Sequence, residues 1–452
     1  STYRLGARIY SKRVGALGSL ILATAYGFFL ANNDVRMDAL LTGAIIFSVW
    51  QLVIFMDEKK YAALLLSALG LAMGFATKGL IGVAMPAIAS FFYVAQRGDW
   101  KDLRDPRWLL LLFAFSLFVA PVFYCFYVQF DLHPEKIIRG TTGNSGIAFL
   151  LFGQSLQRYG GSGWGSSGNG DPFFYLHTLL WAFLPWSLLV FIAIWQAIKN
   201  HVRSKFTYGL RNPLFIPATI LIMLILLSGS HFKLPHYLDI LFPFLALCTA
   251  GFIVSTKSKW KKKIAVIQYV TSSIVIILAL ILNFWSFPLS QPHTLLVSIL
   301  LMMLLMFFIV FHRKQYLTIT LISTALLYYN LNFNFFPKLL QLQAGNVLAA
   351  EIRNERIPED QVRYLEGYET SNSFDFHVGK IIPGISIPFL KQSNKPWTIY
   401  TGPSGYEALA SEGIRFQVLQ SAVSLKVSVI DLSILDPAKR KNEPRHYLLR
   451  VN

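Results

Sequence analysis

Uninterrupted apolar runs of about eighteen residues or more recur along this chain, and few folds can accommodate them. The stretches 108–126 and 294–311 contain no charged residue at all. Inside a bilayer every backbone N–H and C=O must find its partner within the protein, so such a run has to be a helix or a strand of a closed barrel. These runs are too long and too uniformly apolar for barrel strands, and helix is the reading that remains. Eleven spans are expected, over roughly 14–31, 38–55, 61–77, 79–95, 108–129, 175–197, 213–229, 236–255, 264–285, 294–311 and 316–336. The composition agrees. The 452 residues are 54% hydrophobic and 14% charged, where soluble domains average about 25% charged.

The formal net charge of +18 raises nucleic acid as a partner, but the placement of the cations argues against it. Lys and Arg collect in short loops on one side of the expected spans: Arg4, Arg8, Lys12 and Arg13, then Lys59 and Lys60, then Arg97 to Arg107, Lys199 to Arg211, Lys257 to Lys263, and Arg313 with Lys314. The opposite loops hold Arg36, Lys78, Lys136, Arg139, Arg158 and Lys233. This asymmetry is the positive-inside pattern, and it places residue 1 in the cytoplasm of an inner, or plasma, membrane. The two cysteines, Cys125 and Cys248, lie within apolar runs and imply no disulfide framework. The opening Ser1 to Arg8 reads like the cytoplasmic tail of a preceding span, and an N-terminally truncated chain is expected.

An odd number of spans puts everything beyond about Phe336 on the outer, periplasmic side. Residues 337–452 differ from what precedes them. Charge rises, apolar runs shorten, and strand-like stretches appear at Val362–Leu365, Trp397–Tyr400, Val423–Val429 and His446–Leu449. An amphipathic helix is expected from about Leu339 to Arg353. The fold class is therefore an all-α polytopic membrane domain over 1–336 with a small periplasmic α/β domain over 337–452.

A charged residue at a span centre costs about 2.5–3.5 kcal/mol on insertion scales, and none of the eleven spans has one at its middle. The charges that remain gather at the outer ends of the spans, and chemistry is expected there. Asp38 opens the second span behind Arg36. Its plain reading is a helix N-cap. Its functional reading is an acidic site residue. Lys78 sits in the tight turn Ala76-Thr77-Lys78-Gly79, either as a surface lysine or as a point charge for a phosphate. The loop Ser230 to Tyr237 offers His231, Lys233, His236 and Tyr237 within one short segment, a set suited to an anionic headgroup. Asp239 is positioned to pair with His236 three residues earlier. Metal binding by His231 and His236 is a weak reading, since no third ligand is evident. A glycine-rich stretch over 160–170 follows Arg158 and reads as a mobile lid or a plain flexible loop.

Taken in order, these short motifs resemble the GT-C class of polyprenyl-phosphate-sugar glycosyltransferases. The nearest branch is the lipid A aminoarabinose transferase-like family, with the protein O-mannosyltransferases as cousins. The residues that carry the resemblance are Arg36 and Asp38, Thr77-Lys78-Gly79, Gln154 to Tyr159, Leu184-Pro185-Trp186, and Lys233-Leu234-Pro235-His236-Tyr237 followed by Phe242-Pro243. The resemblance implies thirteen spans in all and a principal catalytic carboxylate in a loop upstream of Ser1. It implies Asp38 as a further acidic residue of the site. It assigns Lys78, Arg158, Lys233 and Tyr237 to the donor phosphate, with Arg36, His231 and His236 in support. It implies a polyprenyl (undecaprenyl) phosphate-linked sugar as donor and a lipid such as lipid A, an envelope glycan or a protein as acceptor. No cofactor is implied; a divalent metal stays open. The glycine-rich segment and Asp239 depart from the family's pattern. A lipid-linked sugar transporter or flippase and a non-catalytic envelope assembly protein are the alternatives. A transporter would place its polar groups near mid-membrane, often within inverted repeats.

Overall fold

The computed structural model describes residues 1–451 apart from 35, 139, 161–170, 204–213, 257, 426–431 and 441. The side chains of 158, 202–203, 258–259 and 432–433 also lie outside the described residues. The chain forms two compact units. One comprises Ser1–Ser272 with Arg313–Leu321, the other Ser273–His312 with Ile322–Asn452. The compact units thus divide at 272, whereas charge and hydropathy place a boundary near 336.

The protein is a multi-pass membrane protein. Among the described residues, six of the expected runs are single helices long and apolar enough to cross a bilayer: Asp38–Glu58, Tyr61–Lys78, Arg107–Asp131, Pro235–Ser255, Trp260–Ser286 and Pro292–Phe311. A seventh is the pair Lys12–Ala23 and Tyr26–Asn33, bent by 60°. The other four runs are also helical but shorter or interrupted: Ile81–Arg97, Phe215–Ser228, the broken pair Phe174–Ala182 and Ser187–Arg203, and Tyr316–Asn330 continued by a π-turn at Leu331–Phe335.

The two breaks in the first unit satisfy one another. Pro185 cannot donate to a helix ladder, and a helix break in an apolar setting leaves backbone groups in need of partners. The Tyr26 N–H donates to the Leu184 carbonyl at 3.0 Å. The indole of Trp186, a fully buried side chain, donates to the Thr24 hydroxyl at 2.9 Å. The Pro185 carbonyl in turn accepts from Gln268.

The hairpin joining Tyr61–Lys78 to Ile81–Arg97 depends on glycine. A Cβ at Gly82 would lie 2.2 Å from the Gly74 carbonyl carbon and 2.3 Å from its oxygen, so the two backbones approach as closely as only glycine permits. Gly79 ends the first helix with φ +66, and its N–H donates to the Phe75 carbonyl at 2.7 Å. That left-handed φ suits glycine and strains any side chain.

In the second unit a five-stranded sheet has the order β2-β1-β3-β5-β4. The strands are β1 (Val362–Leu365), β2 (Gly384–Ile385), β3 (Trp397–Thr401), β4 (Phe416–Val423) and β5 (Arg445–Val451). β1 runs parallel to β2 and β3, while β5 is antiparallel to β3 and β4. Side chains alternate between faces as the pleat requires. Val362, Tyr364, Tyr400 and Leu448 pack with Leu348 and Ile352 of the helix Ala344–Asn354. Leu365, Ile399 and Leu449 pack with Leu409 of the helix Pro403–Ser411 on the other side. Two expectations shift. The amphipathic helix begins only at Ala344, after a separate turn at Phe336–Leu340. The strand before residue 425 is Phe416–Val423, and most of the expected 423–429 strand lies outside the described residues.

Gly82→Ala should destabilise the protein by about 1–3 kcal/mol through forced overpacking. Gly43→Ala, in an open place on the helix Asp38–Glu58, should be neutral or stabilising by up to about 1 kcal/mol. Thermal unfolding of both variants in detergent, followed by tryptophan fluorescence, measures the contrast. Equal melting temperatures would remove the close-packing argument.

Candidate functional site

The helix Asp38–Glu58 starts at Asp38, behind Met37 as N-cap, and no side-chain cap is made there. The N-cap reading of Asp38 is therefore corrected: its carboxylate turns into the protein instead. Asp38 is 3% exposed, and its Oδ1 lies 2.5 Å from the Lys78 Nζ. Lys78 is the last residue of the helix Tyr61–Lys78, directly before the Gly79 turn. A carboxylate at a helix N-terminus and an ammonium at a helix C-terminus each gain from the helix dipole. The Lys78 ammonium also lies 4.4 Å from the centroid of the Tyr237 ring, within cation–π range.

Tyr237 reaches this place through Pro235, which opens a 3-10 turn over Pro235–Leu241 that leads into the helix Phe242–Ser255. The preceding residue, Leu234, stays extended. The turn puts His236 and Tyr237 beside Asp38 and Lys78. The His236 Nε2 is 3.9 Å from the Asp38 Oδ2, and its Nδ1 is 2.7 Å from the Arg36 Nη1. Arg36 is paired in turn with Asp34 at 2.5 Å.

A cavity of about 280 Å³ opens beside this cluster. Asp38, Lys78 and Tyr237 form its charged and aromatic end, Gln154, Ser155, Tyr159 and Ser230 add polar groups, and its remaining walls are aliphatic. Gln154, Ser155 and Tyr159 come from the helix Gln154–Gly160. That helix approaches Gly79 so closely that a Cβ there would meet the Gln154 Oε1 at 3.0 Å. Among the described residues no three His, Cys, Asp or Glu side chains are grouped to hold a metal ion.

The structure brings together Asp38, Lys78, Tyr237, His236 and Arg36. It places the other candidates differently. Lys233 is buried, and its ammonium donates to the Asp171 carbonyl at 2.9 Å; it is not among the cavity walls. Asp171 accepts from His177 at 2.8 Å and from the Phe173 N–H at 2.8 Å. Those two hydrogen bonds, His177's first, hold its carboxyl below the ordinary carboxylate range. His231 is exposed and lies 2.9 Å from the Tyr159 carbonyl through Nδ1. The side chain of Arg158 lies outside the described residues, as does the glycine-rich 161–170. The expected pairing of Asp239 with His236 is not formed: Asp239 is 2% exposed, and its Oδ2 has no hydrogen-bond partner among the described residues. The His236 ring is turned to Arg36 and Asp38 instead. Ser230 and the aliphatic walls were not singled out from sequence. A serine before a histidine loop and leucines within apolar runs carry no signal of their own.

With this geometry in view, comparison with known proteins is informative. Residues 1–124 match the family described as dolichyl-phosphate-mannose-protein mannosyltransferase. The fold is similar to the crystal structure of ArnT from Cupriavidus metallidurans bound to undecaprenyl phosphate, with a TM-score of 0.68 and 15% identity over 99% of this chain and 81% of that one. The apo structure of the same protein gives 0.66 and 16%, over 99% and 80%. An uncharacterized protein of Aquifex aeolicus (strain VF5) is 26% identical over 285 residues, which is 63% of this chain and 52% of the relative. The chain thus spans about half the length of the curated relative it matches. These likenesses show the fold: a helical membrane fold like that of ArnT, with a small C-terminal sheet unit. The chain's first 124 residues also resemble the protein-mannosyltransferase family.

Removing one member of a buried ion pair leaves an uncompensated charge and costs about 3–5 kcal/mol. Lys78→Met and Asp38→Leu should each lower unfolding stability by that order, and the double variant should lose clearly less than their sum. Additive losses in thermal unfolding would show that the pair is not coupled.

Proposed function

We propose that this chain is a glycosyltransferase that moves a sugar from a polyprenyl phosphate carrier to an acceptor at the outer face of an inner membrane. One observation carries the reading. An ammonium, a phenol and a carboxylate stand together in a largely aliphatic cavity, the ammonium and the carboxylate at helix ends and not at helix middles. An isoprenoid phosphate has the matching chemistry, an anionic head on an apolar tail. The likeness to ArnT bound to undecaprenyl phosphate supports the same carrier. The likeness to dolichyl-phosphate-mannose-protein mannosyltransferases supports the same reaction type.

In this reading Lys78 and Tyr237 hold the carrier phosphate. Lys78 can do so while staying beside Asp38, because an ammonium has three donors. An acceptor oxygen attacks the anomeric carbon of the sugar, and the bond from that carbon to the phosphate oxygen breaks. The bonding pair stays on the phosphate, which leaves as polyprenyl phosphate, and the acceptor's proton passes to a carboxylate. The charge that grows on the phosphate is met by a cation already in place in a poorly solvated site. Asp38 lies beside the sugar or the acceptor, where a carboxylate orients or deprotonates the attacking group. A single displacement of this kind inverts the anomeric centre. Lys233 and the Asp171 turn brace the rim of the site. Residues 337–452 make a domain outside the membrane.

The transporter alternative requires polar groups near the middle of the spans. Here Asp38 begins its helix and Lys78 ends its own.

Two measurements test the proposal. Undecaprenyl phosphate added to the purified chain in detergent should raise its melting temperature. Lys78→Ala with Tyr237→Phe should weaken apparent affinity by about tenfold or more, since a charged hydrogen bond contributes about 1.5–3 kcal/mol. Mass spectrometry of envelope lipids and glycans from a deletion strain should show one missing glycosyl increment, restored by the wild-type gene. No stabilisation by the carrier and an unchanged envelope would overturn the reading.

A further inference from the structure

We propose that Arg36 and His236 form a directed relay that positions Asp38 at the cavity, with His236 offering its Nε2–H to the carboxylate. The inference rests on the glycosyltransferase reading of the site and adds two positioning residues to it. Neither side chain lines the cavity, so both act through Asp38.

The direction of the relay follows from donor chemistry. A guanidinium has five donors and no acceptor. Its Nη1 lies 2.7 Å from the His236 Nδ1, so that nitrogen must present its lone pair. The ring hydrogen is then on Nε2, the nitrogen that faces the Asp38 Oδ2 at 3.9 Å. That separation is beyond hydrogen-bond range, so in this structure the contact is electrostatic, and the relay requires the hydrogen bond to form when a phosphate draws on Lys78. Arg36 is itself held by Asp34, which fixes the guanidinium from the exposed side. The line therefore runs Asp34, Arg36, His236, Asp38, Lys78, from the surface to the cavity.

The ring is boxed in by charge. Asp34 and Arg36 face it from the loop, Asp38 from one helix start, Lys78 from a neighbouring helix end, and Tyr237 and Asp239 lie on its own turn. In a 3-10 turn, positions three apart eclipse, so Asp239 stands on the same face as His236. Within that box only the Arg36 contact decides which ring nitrogen carries the hydrogen. The likeness of charge patterns alone would not: Asp38 and Asp239 favour a hydrogen on either nitrogen, and a guanidinium favours one arrangement. Lys78 takes one oxygen of Asp38. When a phosphate draws on Lys78, the Nε2–H is the donor at hand to keep the other oxygen in place.

The test uses the full chain. His236→Gln keeps an acceptor towards Arg36 and a donor towards Asp38, whereas His236→Leu keeps neither. Arg36→Met removes the element that sets the direction. Undecaprenyl phosphate affinity should stay within about twofold in all three, because none of them touches the phosphate. The glycosyl increment formed by His236→Leu or Arg36→Met in a deletion strain should fall about tenfold or more, the range of a lost acid–base orienting contact. His236→Gln should recover most of the loss, and Arg36→Met with His236→Leu should be no worse than either alone. Independently of activity, ¹⁵N-histidine spectra of the purified protein should show an unprotonated Nδ1 at position 236, changed in Arg36→Met. A protonated Nδ1, a normal increment in His236→Leu, or a His236→Gln variant as poor as His236→Leu would overturn the relay. A wild-type chain that neither binds undecaprenyl phosphate nor adds a sugar would instead overturn the functional reading on which it rests.

Discussion

Burying a carboxylate among apolar helices is costly unless a cation comes with it, and the arrangement around the cavity follows from that cost. Asp38 and Lys78 are forty residues apart in sequence. Each stands at the end of its own helix, at the terminus whose dipole favours it. Neither end could be displaced by a turn without leaving its partner unpaired. The Gly79 turn and the Gly74–Gly82 approach hold the second helix end in register, while the Pro235 turn sets Tyr237 over the ammonium. The pair is thus less a source of stability than a demand on the helices around it. Replacing both partners by apolar groups would relieve the demand and remove the site.

The same cost accounts for what the sequence showed clearly. The long apolar runs had to become helix, and their described residues are mostly helical, because a helix alone satisfies its own backbone in lipid. Charges excluded from span centres had to collect at span ends, which made Asp38, Lys78 and Arg36 visible without coordinates. The strand-like stretches 362–365, 397–400 and 446–449 were visible too, and the strands Val362–Leu365, Trp397–Thr401 and Arg445–Val451 contain them; the clearest period-two stretch, 423–429, lies mostly outside the described residues.

What remained hidden was direction. Lys233, His236 and Tyr237 sit within five residues, and composition gives them one environment. The extended Leu234 and the turn opened by Pro235 split them. His236 and Tyr237 turn towards Asp38 and Lys78, and Lys233 turns towards the Asp171 carbonyl. Asp239 looked like a partner for His236 by spacing, yet the ring is claimed by Arg36, a residue two hundred positions away. Span integrity was hidden for a similar reason. The runs 14–31 and 175–197 are apolar enough to be straight, but they break at Thr24–Ala25 and around Pro185, and each break supplies the other's missing partners. Hydropathy cannot register such mutual compensation, since both breaks leave the average unchanged.

Size gives the proposed function its last constraint. A cavity of about 280 Å³ is at the small end of ligand pockets, which run from about 300 to 1,000 Å³. It has room for a phosphate and its near neighbours and none for a polyprenyl tail of many units. The tail must therefore leave the cavity sideways. Leu80 and Leu226 line the cavity and are also exposed, at 36% and 44%. An apolar wall that reaches the outer surface of a membrane-embedded bundle opens onto lipid. On this reading the helices bind little more than the head, and the bilayer solvates the rest. Recognition on this reading rests on the few polar groups that line the cavity, and not on the enclosed volume.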